Sequence, residues 1–430
     1  NRVEMKGNTL SIVLLVVGLV VGAGAGYMLA PQAPAGGEDG DGPVTIEVVV
    51  APLEGTTVQL GYVSSTTSGL ETAVPHVEDM MTVDYNEFAE MLGYDVDFEY
   101  LIDDATGQAA VHLEKVQGFK SMDVSVFIGG GWSSQAQAAL SYVNDNDMLM
   151  WSSSSTSPLL AIPDDNLLRM CPTDLIQAPA ISRMLLSRGI EACIVIQRAD
   201  AWADGIYNYF EPAFEAEGGV ILEKIRYAGE STEFANYLQT AEDIAVDAVA
   251  DYGAGKVAIE VIAFSESVTM VTQAVDYPTV YSLPWFGSDG TSMVQQHVDD
   301  APEQSIHLGL FSTVAAPAAS SKFTNLWDRY EALVNQPYGY YTACTYDIGW
   351  ILTGTILSAQ SSDAMDVLPL QAPTAFNMFG ASGWNKLNDD GDRFGSNYQI
   401  WSYEPEPYVV GLYDGVTDTV AWDIPWDWPR

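Results

Sequence analysis

At 430 residues the chain is too long for one ordinary hydrophobic core, and with 48% hydrophobic and 11% aromatic residues it is too apolar to stay disordered. Against 16 lysines and arginines stand 58 aspartates and glutamates, a net charge of −42, which excludes a surface that gathers phosphate backbones and hence nucleic acid as a partner. Self-repulsion of this size calls for screening, and at about 1 M salt the Debye length falls to about 3 Å, so a saline habitat is expected.

No residue from Gly7 to Gly37 is charged, and residues 10–30 are long enough to cross the ~30 Å hydrocarbon layer as a helix. Arg2 and Lys6 precede this run while Glu38, Asp39 and Asp41 follow it, so the N-terminus is expected in the cytoplasm and the remainder at the extracellular face. The run is either kept as an anchor or cleaved as a signal after Ala33-Pro34-Ala35. Gly18, Gly22 and Gly26 would let two such helices touch closely. Residues 31–43 (PQAPAGGEDGDGP) read as a flexible spacer.

From residue 58 onward, β-branched runs alternate with helical periodicity, which predicts an α/β protein with mostly parallel sheets. The first series is strand 58–63, helix 72–92, strands 96–101 and 124–129, helix 135–144 and strand 148–151. The second is helix 176–188, strand 192–197, helix 202–217, strand 220–227, helix 234–252, strand 257–264, helix 268–275 and a turn at 285–290. Further helices are expected at 321–334 and 346–360. Two such series predict two lobes across a cleft, each a sheet flanked by helices. The expected division is an anchor or signal at 1–30, a lead-in at 31–56, a first lobe of 57–174 with 307–375, and a second of 175–306 with 376–430. Cys171, Cys193 and Cys344 lack metal or redox spacing and read as buried small hydrophobes, with room for one disulfide.

Two strand-end loops combine hydroxyls with backbone N–H groups ahead of a helix: Gly129-Gly130-Gly131-Trp132-Ser133-Ser134, and the run from Ser152 to Pro158. Such loops suit a carboxylate or another small anion, and they also serve as ordinary caps and turns. Catalytic signals are absent: His76, His112, His297 and His307 form no metal or triad spacing, and no nucleophile elbow or phosphate loop occurs. No enzyme, metal or cofactor is expected.

In order and spacing these loops resemble those of the type 1 periplasmic solute-binding proteins, specifically the leucine/isoleucine/valine-binding family of ABC transporters, over roughly residues 58–413. The resemblance continues through Arg169-Met170-Cys171-Pro172-Thr173-Asp174-Leu175-Ile176-Gln177, an R-x-x-P-x-D-x-x-Q run, and Trp285-Phe286-Gly287-Ser288-Asp289-Gly290. It implies that Ser133, Ser154 and Thr156 hold a ligand carboxylate, that Asp289 pairs with an α-ammonium, and that Trp202 and Phe264 touch the side chain. The family's D-x-Y-G-x-G is altered to Asp200-Ala201-Trp202-Ala203-Asp204-Gly205, so an aromatic remains where a tyrosine is usual and the first glycine is lost. The function implied is an extracytoplasmic receptor that delivers an amino acid or similar zwitterion to an ABC permease. Receptors for amides, urea or short peptides, and a membrane-anchored sensor, are the alternatives. The tyrosine-rich 337–341 and the tryptophan-rich 422–428 have no counterpart, and either face a partner or cover a sheet edge.

Overall fold

The computed structural model describes residues 51–428, together with the short antiparallel strands β1 (Arg2–Val3) and β2 (Ile46–Glu47). The expected membrane helix at 10–30 and the spacer at 31–43 lie outside the described residues. Among the described residues no helix is long and apolar enough to cross a membrane.

Each lobe forms around one sheet. The first contains β3 (Thr56–Ser64), β4 (Val96–Asp104), β5 (Val126–Ile128), β6 (Leu149–Ser152) and β7 (Leu167–Arg169), all parallel, in the order β4-β3-β5-β6-β7. The second contains β8 (Ala192–Arg198), β9 (Val220–Tyr227), β10 (Val257–Ile262), β11 (Trp285–Gly287), β12 (Phe311–Ala315), β13 (Tyr398–Glu404), β14 (Glu406–Asp414) and β15 (Thr419–Trp422), in the order β15-β14-β13-β12-β11-β10-β8-β9. Strands β8 to β12 run parallel and the last three antiparallel. Every residue of β8 and β10 is buried, which is why both read as mostly apolar runs, broken only by Gln197 and Arg198 at the end of β8 and by Glu260 in β10. The helix Ala235–Tyr252 buries Leu238, Ala241, Ala245 and Ala248, one stripe at helical spacing.

Two expected boundaries move. The 307–315 stretch was assigned to the first lobe, but Phe311–Ala315 is hydrogen-bonded between β11 and β13 in the second sheet. The stretch from 376 was assigned to the second lobe, but Ala381 and Leu387 pack in the first-lobe core and Asp392 pairs with Arg169. The helix expected at 72–92 is three segments: Thr67–Pro75, a wide π turn His76–Thr82, and Val83–Met91. Pro75, which has no N–H to donate, stands at the first junction, and the π turn buries His76, Val77, Met80 and Met81. No disulfide forms; Cys171, Cys193 and Cys344 are free and buried.

The C-terminal tryptophans cover the second lobe. Trp422 lies under the Arg188 guanidinium at 3.5 Å, Trp426 packs 5.8 Å from Phe311, and Trp428 Nε1 donates to the Ser282 carbonyl at 3.1 Å.

One residue contradicts its surroundings. Glu260, at the centre of β10, is fully buried, and neither carboxylate oxygen has a partner among the described residues. Burial pushes its carboxyl well above the usual range, so the folded protein holds it protonated. A folded-state pKa above the unfolded value costs stability as pH rises from the unfolded pKa, about 4.3, toward the folded one. Glu260→Leu is expected to raise stability near neutral pH by about 1–3 kcal/mol and to flatten this slope, read from melts across pH. A variant less stable than the parent at neutral pH would contradict the assignment.

Candidate functional site

The loops at the carboxyl ends of β5 and β6 are bonded into one unit. Ser152 Oγ donates to the Gly130 carbonyl at 3.0 Å, Ser154 Oγ to the Gly131 carbonyl at 2.9 Å, and Ser157 N–H to Ser133 Oγ at 3.1 Å. A Cβ at Gly131 would stand 2.5 Å from Ser65 Oγ, so the loop passes this side chain at close quarters. From beneath, His112 Nε2 accepts the Gly130 N–H at 2.7 Å. That acceptor needs a neutral ring, and burial supplies it by pulling the imidazole down to about 4.

Arg169 fixes the serine loop. Its Nη1 donates to the carbonyls of Ser155 and Ser157 at 2.7 and 2.8 Å, while Nε and Nη2 grip Asp392 at 2.5 and 2.6 Å. Both side chains are almost wholly buried. The turn containing Asp392 thus supplies a counter-ion that holds the serine loop through Arg169. Gln177, the last residue of the same R-x-x-P-x-D-x-x-Q run, reaches into the second lobe and donates to Asp289 Oδ1 at 2.9 Å. The motif therefore runs from the hydroxyl loop to the acid.

Asp289 opens a short turn after β11. Its Oδ2 accepts from the Tyr341 hydroxyl at 2.6 Å, a contact from the first-lobe helix Tyr340–Ala359 across the cleft. Asp174, fully buried, is close enough that the charge of Asp289, after burial, pushes its carboxyl well above the usual range. Burial also raises Asp289, but two donors stabilise its ionised form. The Tyr341 hydroxyl and the Gln177 amide thus favour placing the negative charge of the pair on Asp289.

The second-lobe wall is aromatic. Asp200 caps the helix Ala201–Ala216 and sets Trp202 in its first turn. Phe264, just past β10, lies between two indoles, 4.3 Å from Trp202 and 4.7 Å from first-lobe Trp132, with ring planes within 18°. The Arg198 guanidinium lies 4.5 Å from the Phe264 centroid and is neutralised by Asp200 and Glu266. Gly290 is packed so tightly against this stack that a Cβ would meet the Ala263 carbonyl at 2.3 Å and the Trp202 ring at 2.6 Å.

Five of the six residues expected at the site line one interlobe cleft: Ser133, Ser154, Trp202, Phe264 and Asp289, around a space of about 500 Å³ including its open mouth. Thr156 does not join them; it is 1% exposed, and its carbonyl accepts the Asp174 N–H at 2.9 Å. Trp132 and Tyr341 also line the cleft and were not expected there. Trp132 carried a signal in its position beside Ser133. Tyr341 lay in the tyrosine-rich segment, which turns inward rather than toward a partner: Tyr338 and Tyr340 are buried.

The family model described as "Receptor family ligand binding region" matches residues 84–406, and the chain belongs to that family. An uncharacterized protein of Methanocaldococcus jannaschii is 24% identical over an alignment of 392 residues that covers 85% of this chain and 91% of that protein. Among solved structures, the branched-chain amino acid transporter substrate-binding protein LivJ of Streptococcus pneumoniae, in complex with isoleucine, superposes with a TM-score of 0.68 at 18% identity, covering 83% of this chain and 99% of that one. An ABC-transporter solute-binding protein of R. palustris, in complex with benzoate, gives 0.67 at 13% identity, covering 83% and 96%. These likenesses give the fold, the two-lobed type 1 periplasmic-binding fold.

Proposed function

We propose that the chain is an extracytoplasmic solute-binding receptor of an ABC importer, which closes its lobes around an amino acid and presents it to a permease. The observation that carries this reading is the half-buried Asp289, held by Tyr341 and Gln177 on the same cleft as the hydroxyl loops at the start of the helix Ser133–Asp145. A zwitterion matches that polarity: the helix N-terminus and the Ser133 hydroxyl take the carboxylate, joined by Ser154 once its hydroxyl turns from the Gly131 carbonyl, and Asp289 takes the ammonium. Phe264 and Trp202 close the second-lobe side, with first-lobe Trp132 stacked on Phe264. The segment at 10–30 anchors the receptor at the extracellular face in this reading.

The carboxylate-only ligand of the benzoate-bound relative offers nothing for Asp289 to pair with, so the acid favours an ammonium. A thermal-shift panel of amino acids and their deaminated acids tests this in high salt. Amino acids at about 100 times their Kd are expected to add about 2.7 kcal/mol of stability, and the deaminated acids to add little. A panel in which no amino acid raises the melting temperature would contradict the proposal.

A further inference from the structure

Behind the cleft lies a second chamber, wholly within the first lobe. It opens off the cleft past Gly131, Ser154 and Tyr341, which line both spaces, and holds about 690 Å³ including its mouth. No aspartate, glutamate, lysine or arginine lines it, although the chain carries 58 acids. Its walls are instead rich in hydroxyls, among them Tyr62, Ser65, Thr72, Ser153 and Thr342.

His76 stands in this wall at 2% exposure, and its Nε2 has no hydrogen-bond partner among the described residues. The π turn places it there, and the rings of Tyr330 and Tyr338, at 5.4 and 5.9 Å, hold its plane. Burial pulls the imidazole down to about 3, so it is neutral at physiological pH and meets a ligand as a hydrogen-bonding group without charge.

An aliphatic group in this chamber would strip water from hydroxyls and an imidazole nitrogen and give nothing back. A charged group would enter without a counter-ion. A hydroxyl or carboxamide satisfies both conditions. We infer that the ligand is an α-amino acid with an uncharged, hydrogen-bonding side chain, which passes Tyr341 into the first-lobe chamber while its ammonium rests on Asp289. This rests on the amino-acid reading of the cleft and sets the chain apart from receptors for branched aliphatic side chains.

Calorimetric titration of the full chain with two near-isosteric pairs tests it: threonine against valine, and glutamine against methionine. In at least one pair the polar member is expected to bind about tenfold more tightly or better, because a site built to bond a polar group rejects the analogue lacking it. Apolar members binding as well in both pairs would overturn the inference and leave the amino-acid reading standing. No binding by any amino acid would overturn both. His76→Phe, which keeps the ring and removes its nitrogens, is expected to bring the polar-to-apolar ratio toward one. Should that variant not fold, Thr342→Val at the same wall reads the same ratio. A ratio unchanged by the substitution would overturn the placement of the side chain.

Discussion

Replacing Asp289 by asparagine is expected to weaken amino-acid binding by at least about 2 kcal/mol, roughly thirtyfold in Kd, while leaving the fold intact. Asparagine can still accept from Gln177 and can bond the Tyr341 hydroxyl, so the local packing survives and the charge alone is lost. The same acid gives binding a pH dependence. An ammonium pairs with the carboxylate and not with the protonated acid, so affinity falls as Asp289 takes up its proton. Because burial raises its pKa, the fall begins above the ordinary carboxylate range near about 3.9. Titrations run downward from neutral pH should show it in the parent chain and not in Asp289→Asn. Equal affinity in the two proteins at neutral pH would remove Asp289 from the site.

The second large effect concerns stability. Asp392→Leu is expected to cost about 3–5 kcal/mol, because it leaves the Arg169 guanidinium buried with only carbonyl partners. Denaturant unfolding measures this directly. The double variant Arg169→Met with Asp392→Leu should recover much of the loss, since it removes both charges together. It should not recover ligand affinity, because the carbonyls of Ser155 and Ser157 lose the donor that sets the serine loop. A double variant that binds as tightly as the parent would show that the loop holds its shape without Arg169.

Much of the fold was legible because parallel strands covered on both faces are largely apolar, as β8 and β10 are. The lobe boundary was not, because β12 reads FSTVA, a short run whose hydroxyls look like a turn. Ser312 in fact bonds Thr291 at 2.8 Å, and Thr313 bonds Gln177, so both are satisfied inside the sheet. The hydroxyl loops and Asp289 stood out because glycine, serine and an Asp-Gly turn mark places where backbone donors and carboxylates are exposed to a ligand. Tyr341 did not, since it is 52 residues from the acid it bonds and reaches it only when the lobes face each other. Glu260 was invisible for the opposite reason: one acid in an apolar run carries no sign of the missing partner.

The central claim is that this cleft recognises a zwitterion through the Asp289 carboxylate. The most direct measurement is calorimetric titration of the full chain with an amino acid that binds and with the same molecule lacking its ammonium. The account predicts that the deaminated acid binds at least about thirtyfold more weakly, because it forgoes the charge-assisted bond from the ammonium to the carboxylate. Equal affinity for the two, or tight binding of benzoate, would contradict it.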